Sequence, residues 1–140
     1  MKSDYTRSTL VERPIWLVEQ LGHFHDMRIN GMNLDVAKKV LRLEVEDLLI
    51  NFEGLTPQYR ELPGAIEFLG LRELDCTLDL RDGLRIQAAD GKEVGTLVSF
   101  KFQLNEGIGN VSSDYVSLRV LFGEMHVHGL REVMNFLLLQ

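Results

Sequence analysis

Apolar and polar residues alternate along most of this chain, and that period predicts antiparallel β-strands. The clearest run is 66–81, where Ile66, Phe68, Leu74, Cys76, Leu78 and Leu80 share one parity and Glu67, Glu73, Asp75, Thr77 and Asp79 the other. Successive strand side chains point to opposite faces, so one parity faces a core and the other faces water. Gly70 would bend this strand midway. In segment 40–50, Leu41, Leu43 and Val45 alternate with Arg42, Glu44 and Glu46. In 94–105, Val98, Phe100, Phe102 and Leu104 alternate with Ser99, Lys101 and Gln103. Leu84, Ile86 and Ala88 point inward in 84–89, as do Val116, Leu118, Val120 and Phe122 in 115–128. In 26–34 the parity breaks between Met27/Ile29 and Met32/Leu34, and a β-bulge at Gly31 would account for the shift.

Turn chemistry separates these runs. The stretch 35–39 joins the first two into a hairpin, and Asp82-Gly83 and Asp90-Gly91 are two-residue hairpin signals. Gly107, Gly109 and Asn110 mark a further turn. Pro14 suits a first helical position, and Leu17, Val18 and Leu21 fall on one helical face before Gly22, which predicts a helix over 14–21. Leu130, Val133, Met134, Leu137 and Leu138 recur at helical spacing and predict a helix over 130–139, with a final strand as the alternative. Residues 51–65 form a long irregular stretch that Phe52, Leu55, Tyr59 and Leu62 would pack onto the core. The expected fold is mainly β (α+β). It is one antiparallel meander of about six strands, curled or half-barrel, with a short helix at each end. It would form one domain over 1–140, with residues 1–12 frayed.

Composition narrows the setting. The chain has 140 residues and 45% apolar residues, enough for one core. Its longest clean apolar run is far short of the ~18 residues of a membrane span. No apolar signal segment is visible near Met1, and a single cysteine suits a reducing compartment, so a cytoplasmic location is expected. A net charge of −6 disfavours nucleic acid and favours a basic protein partner.

The histidines are the most specific chemical feature. All four occur as H-x-H pairs, His23 with His25 and His126 with His128. On strands each pair would present two imidazoles to one side, and imidazole suits zinc or iron. Asp26 and Glu124 stand beside the pairs. If the pairs converge they make a metal site; otherwise they are solvated or structural. The spacing from His126 through His128 to Glu132 matches the core of the first cupin motif, but the expected flanking glycines are missing. Cys76, on the apolar parity, is expected to be buried and inert. Ser112-Ser113-Asp114 has no accompanying base and reads as a turn. Glu73 and Asp75, with Glu44 and Glu46 if their strands are neighbours, would make an acidic stripe. Such a stripe would contact a basic partner, with Tyr59 on the long loop as a further contact.

Trp16 in the first helix and Phe24-His25-Asp26 entering a hairpin resemble small bacterial proteins of polymorphic-toxin immunity families, of the immunity protein 50-like type. Residues 47–71 resemble a loop-and-strand pattern in related uncharacterised proteins. The resemblance covers about residues 14–80 and rests on short motifs. It implies a binder without catalysis that neutralises a toxin, and it designates no binding residues. The leading expectation is therefore a non-catalytic binding or interaction protein. The alternative is a metal-binding protein or metal-dependent enzyme built on the histidines, and homo-oligomerisation is a third possibility.

Overall fold

The computed structural model of the chain describes residues 8–48, 50–51, 63–81, 83–104 and 116–129. Its strands are β1 (Ser8–Val11), β2 (Arg28–Asp35), β3 (Val40–Val45), β4 (Gly64–Leu69), β5 (Glu73–Thr77), β6 (Leu84–Val94), β7 (Leu97–Leu104), β8 (Ser117–Phe122) and β9 (Glu124–His128). They form a single antiparallel sheet in the order β1-β9-β4-β3-β2-β6-β7-β8-β5, and the sheet is not closed. One short helix, α1 (Pro14–Gln20), precedes β2.

The mainly β class is as expected, but the strand count is nine among the described residues and the order is not a meander. The physical reason lies at two glycines. The long strands expected over 66–81 and 115–128 each bend, at Gly70 (φ +62°) and at Gly123. The bend does not interrupt pairing: Gly123 N–H donates to Leu69 O at 3.0 Å, and Arg72 N–H donates to Leu121 O at 2.7 Å. β4 therefore pairs with β9 before the bend, and β5 pairs with β8 after it.

This bend lets one part of the sheet (β1, β9, β4, β3, β2) face the other (β6, β7, β8, β5). Phe68 of the first meets Phe122, Phe102 and Phe100 of the second at centroid distances of 4.7, 6.0 and 6.3 Å. Such aromatic pairs add about 0.5–1.5 kcal/mol each beyond their burial. Leu41, Leu43, Val45, Ile66, Leu118 and Val120 are buried around them, on the parity the sequence assigns to the core.

α1 begins with Pro14 at its first position and buries Leu17 and Val18. The β2–β3 hairpin forms, with a register shift between Ile29 and Gly31, as the parity break requires. A second shift, between Ile86 and Ala88, turns Ala89 rather than Ala88 into the core.

Several expectations fail for identifiable reasons. Asp90-Gly91 is not a turn but lies inside β6, whose turn to β7 falls at Gly95-Thr96. Gly91 serves a different purpose, since a Cβ there would stand 2.2 Å from the Phe100 ring. The hairpin expected between the strands on either side of Asp82-Gly83 is not formed, because β5 pairs with β8 whereas β6 pairs with β2 and β7; Asp82 itself lies outside the described residues. Part of the frayed terminus is ordered: Ser8–Val11 forms β1 and pairs with β9. Cys76 is exposed, because β5 is an edge strand. The expected helix over 130–139 and Tyr59 of the long loop lie outside the described residues.

Candidate functional site

The two histidine pairs occupy different parts of the sheet. His23 and His25 belong to a turn of 3₁₀ helix and its exit (Gly22–Phe24, then His25), beside β6. Here the chain takes positive φ at Gly22, His23, Phe24 and Asp26, which is uncommon for side chains as bulky as Phe. Several bonds hold the turn in this conformation. Asn51 Nδ2 donates to Leu21 O at 3.2 Å and to His25 O at 2.7 Å. Asp26 N–H donates to Ile86 O at 2.8 Å. His25 Nδ1–H donates to Gln87 O at 2.8 Å, and His23 Nδ1–H donates to Ala89 O at 3.1 Å. The i, i+2 spacing of the pair matches the i, i+2 spacing of carbonyls along β6. These imidazoles act as a short substitute strand.

His126 and His128 lie on β9, separated from β6 in the sheet by β4, β3 and β2. His128 is buried, and its Nε2 lies 2.6 Å from Glu67 Oε1 and 3.3 Å from Arg42 Nη1. The shorter distance assigns the proton to Nε2, which donates to Glu67. Arg42 also bonds Glu44, and that bond, aided by the charge of Glu67, raises the guanidinium pKa above its ordinary value against the effect of burial. His126 Nε2 lies 3.4 Å from Glu124 Oε2. Among the described residues no group of three or more His, Cys, Asp or Glu is arranged to hold a metal ion. The convergence on which a zinc site depends is thus not formed by these two pairs.

The acidic stripe does not assemble either. Glu73 and Asp75 are exposed on β5 at one edge of the sheet, whereas Glu44 lies on β3 within the other part and Glu46 just beyond it. Asp75 faces Arg119 across the β5–β8 pair, with 3.6 Å between Oδ2 and Nη2.

A cleft of about 770 Å³ opens instead where β2 and β6 part. These strands pair only at Arg28–Arg85 and Ile29–Leu84. Beyond that point β2 continues through residues 30–35 beside β3, and β6 has not yet begun. Ile29, Met32, Leu78, Leu80 and Leu84 give the cleft its apolar walls. Arg28 and Arg85 stand opposite each other at one end, with Asp26 Oδ1 3.8 Å from Arg85 Nε, and Glu46 also lines the cleft. Between the lining residues Leu78 and Leu80 stands Asp79, whose carboxylate accepts from the Arg81 guanidinium and backbone N–H. Those bonds hold its pKa down at about 2. Leu80 is 66% exposed and Leu34, two residues along β2 from Met32, is 46% exposed. Sequence reasoning missed this site, because Met32, Leu78 and Leu80 carry the parity of core residues. The only sequence signal was the parity break at Gly31.

No family model matches the chain, and no curated protein matches it. Among solved structures it is similar to an uncharacterised protein from Neisseria gonorrhoeae, at 9% identity over 86% of this chain and 96% of that one, with a TM-score of 0.48. A likeness of that degree carries no inference about function. No helix among the described residues is long and apolar enough to cross a membrane.

Proposed function

We propose that this protein acts by binding rather than by catalysis, and that its ligand seat is the cleft between β2 and Leu78, Leu80, Gly83 and Leu84. The observation that carries this reading is the character of the cleft walls. They are apolar side chains with arginines at one end, and the described lining holds neither a histidine nor a nucleophile. Concave apolar walls with a few oriented polar groups are the usual form of a binding site. A toxin-neutralising role is one form of this reading and rests on the sequence resemblance alone.

An anionic aromatic dye, 8-anilinonaphthalene-1-sulfonate, tests the reading directly. Its fluorescence should rise with the native protein, and the rise should be lost in Leu80→Asp. That exposed position tolerates a charge, so the variant should melt as the wild type does. A dye signal indifferent to Leu80→Asp would overturn the reading.

A further inference from the structure

Asn30-Gly31 is the single Asn-Gly pair of the sequence, and the fold places it at the bulge of β2. We propose that this pair is a self-modification site. The Asn30 side-chain amide hydrolyses through a cyclic imide and leaves a carboxylate, mostly as isoaspartate, in the lining of the cleft. This goes beyond the binding reading and does not depend on it.

The reaction consumes water alone. The Gly31 backbone nitrogen attacks the side-chain carbonyl carbon of Asn30, and a C–N bond forms. The amide nitrogen leaves as ammonia and takes the Gly31 N–H proton with it. Water then adds to the imide and breaks one of its ring C–N bonds. Breaking the bond to the Asn30 backbone carbonyl gives isoaspartate, in which the chain runs through the former side chain. Breaking the newer bond gives Asp. Nothing is oxidised or reduced.

Access to the nitrogen is the first argument. A side chain on the following residue crowds the attacking atom, and glycine has none. Asn33, followed by Leu34, lacks that access. The state of the amide is the second. Asn30 is exposed, and its side chain makes no hydrogen bond among the described residues. Asn51, by contrast, is held by bonds to Leu21 O and His25 O.

The backbone is the third. Attack requires the peptide plane between Asn30 and Gly31 to turn, and a continuous ladder resists that turn. Here the β2–β3 register is interrupted. Ile29 pairs with Val45 and Gly31 with Glu44, so Asn30 has no partner in β3. A bulged residue stands outside the regular ladder. Gly31 rejoins the register at Glu44, and local opening there frees its nitrogen. Asp90-Gly91 is the internal contrast, since an Asp-Gly pair closes the same imide. It lies in an unbroken register, Asp90 with Lys101 and Gly91 with Phe100, under the Phe100 ring.

The product alters the cleft. Glu46 is the one carboxylate of the described lining, and conversion of Asn30 adds another. Isoaspartate also lengthens the backbone at the bulge by a methylene.

The native full chain and a synthetic peptide of residues 29–38 are incubated side by side in mildly alkaline buffer. Trypsin, cutting after Arg28 and Lys38, releases the same peptide from the protein for mass spectrometry. Electron-based fragmentation separates isoaspartate from Asp. Asn30 in the native chain should convert within about tenfold of its rate in the peptide. The product should be mostly isoaspartate, and Asn33 should stay intact. Asp90 should isomerise slower than in a peptide of its own sequence by more than that factor. Asn30 protected beyond that factor, or Asn33 converting as fast, overturns the proposal. A product that is Asp alone means direct hydrolysis without the imide and overturns it as well. So does a native Asp90 that keeps pace with its peptide, because the interrupted register is then not what admits the reaction.

Discussion

Two residues show how closely this fold is fitted. Gly91 lies under the Phe100 ring, where a Cβ would stand 2.2 Å from a ring carbon. Phe100 is fully buried and packs against Phe68, Phe102 and Phe122, so it cannot swing aside. Gly91→Ala should therefore cost about 1–3 kcal/mol, the usual range for overpacking. Gly95→Ala is the useful contrast: its Cβ meets nothing within 4 Å, but its φ is +63°. That change should cost about 1 kcal/mol from backbone strain alone. Urea titrations of both variants would check the order. Asp47 shows the electrostatic side. Burial raises its carboxyl pKa above 3.8, against the Arg28 N–H that donates to it. A raised folded pKa means the folded state holds the proton more tightly. The ionised form is then penalised, and stability falls as pH rises from the unfolded value toward the folded one. Asp47→Asn keeps the acceptor and removes the charge. It should be more stable than the wild type near neutral pH, and the advantage should vanish below the ordinary carboxylate range. An advantage independent of pH would show that charge is not the cause.

At the scale of elements, the segment from Gly22 to Asp26 works as a clamp on β6. Its histidine side chains continue a ladder that β2 pairs at Arg28 and Ile29 alone. Each neutral hydrogen bond of this kind contributes about 0.5–1.5 kcal/mol. His23→Ala/His25→Ala should thus lower stability by about 1–3 kcal/mol, and zinc should not change the melting temperature of either protein. A zinc-dependent rise in the wild type that the double variant lacks would restore the metal reading of this pair. The sequence showed the residue pair but not this role, because the match between imidazole spacing and β6 carbonyls exists only once the chain has turned left-handed at Phe24. Other elements were legible. The β2–β3 hairpin, the bulge at Gly31 and α1 follow from local pattern and turn chemistry. The glycine at 70 was legible as a bend, but at Gly123 the core parity passes from Phe122 to Met125 and Val127, a switch that reading 115–128 as one strand overlooks. The cleft was hidden because Leu80 keeps the parity of Phe68 in the sequence, whereas β5 ends at Thr77 and leaves Leu80 beyond the strand, 66% exposed.

Across the whole molecule, the weakest junction should be where β2 meets β6. Two residue pairs join these strands, against 8 between β6 and β7. The junction is completed by Ile86 N–H donating to Met27 O at 2.8 Å, by Asp26 N–H donating to Ile86 O, and by the histidine clamp. Proteins open locally where few contacts hold, at free energies below that of global unfolding. The amides of Asp26 and Ile86 should therefore exchange with solvent faster than those of Phe100 and Phe102 in β7. The clamp makes a sharper prediction. In His23→Ala/His25→Ala, exchange at Asp26 and Ile86 should accelerate beyond the shift shared by the rest of the sheet. Amides between β4 and β9, on the far side of β3, should move only with global stability. Local acceleration would show that the histidines govern how readily the β2–β6 junction opens, and with it the end of the cleft where Arg28 and Arg85 stand. Uniform acceleration would mean that the sheet unfolds as one unit and that the clamp adds stability without local control.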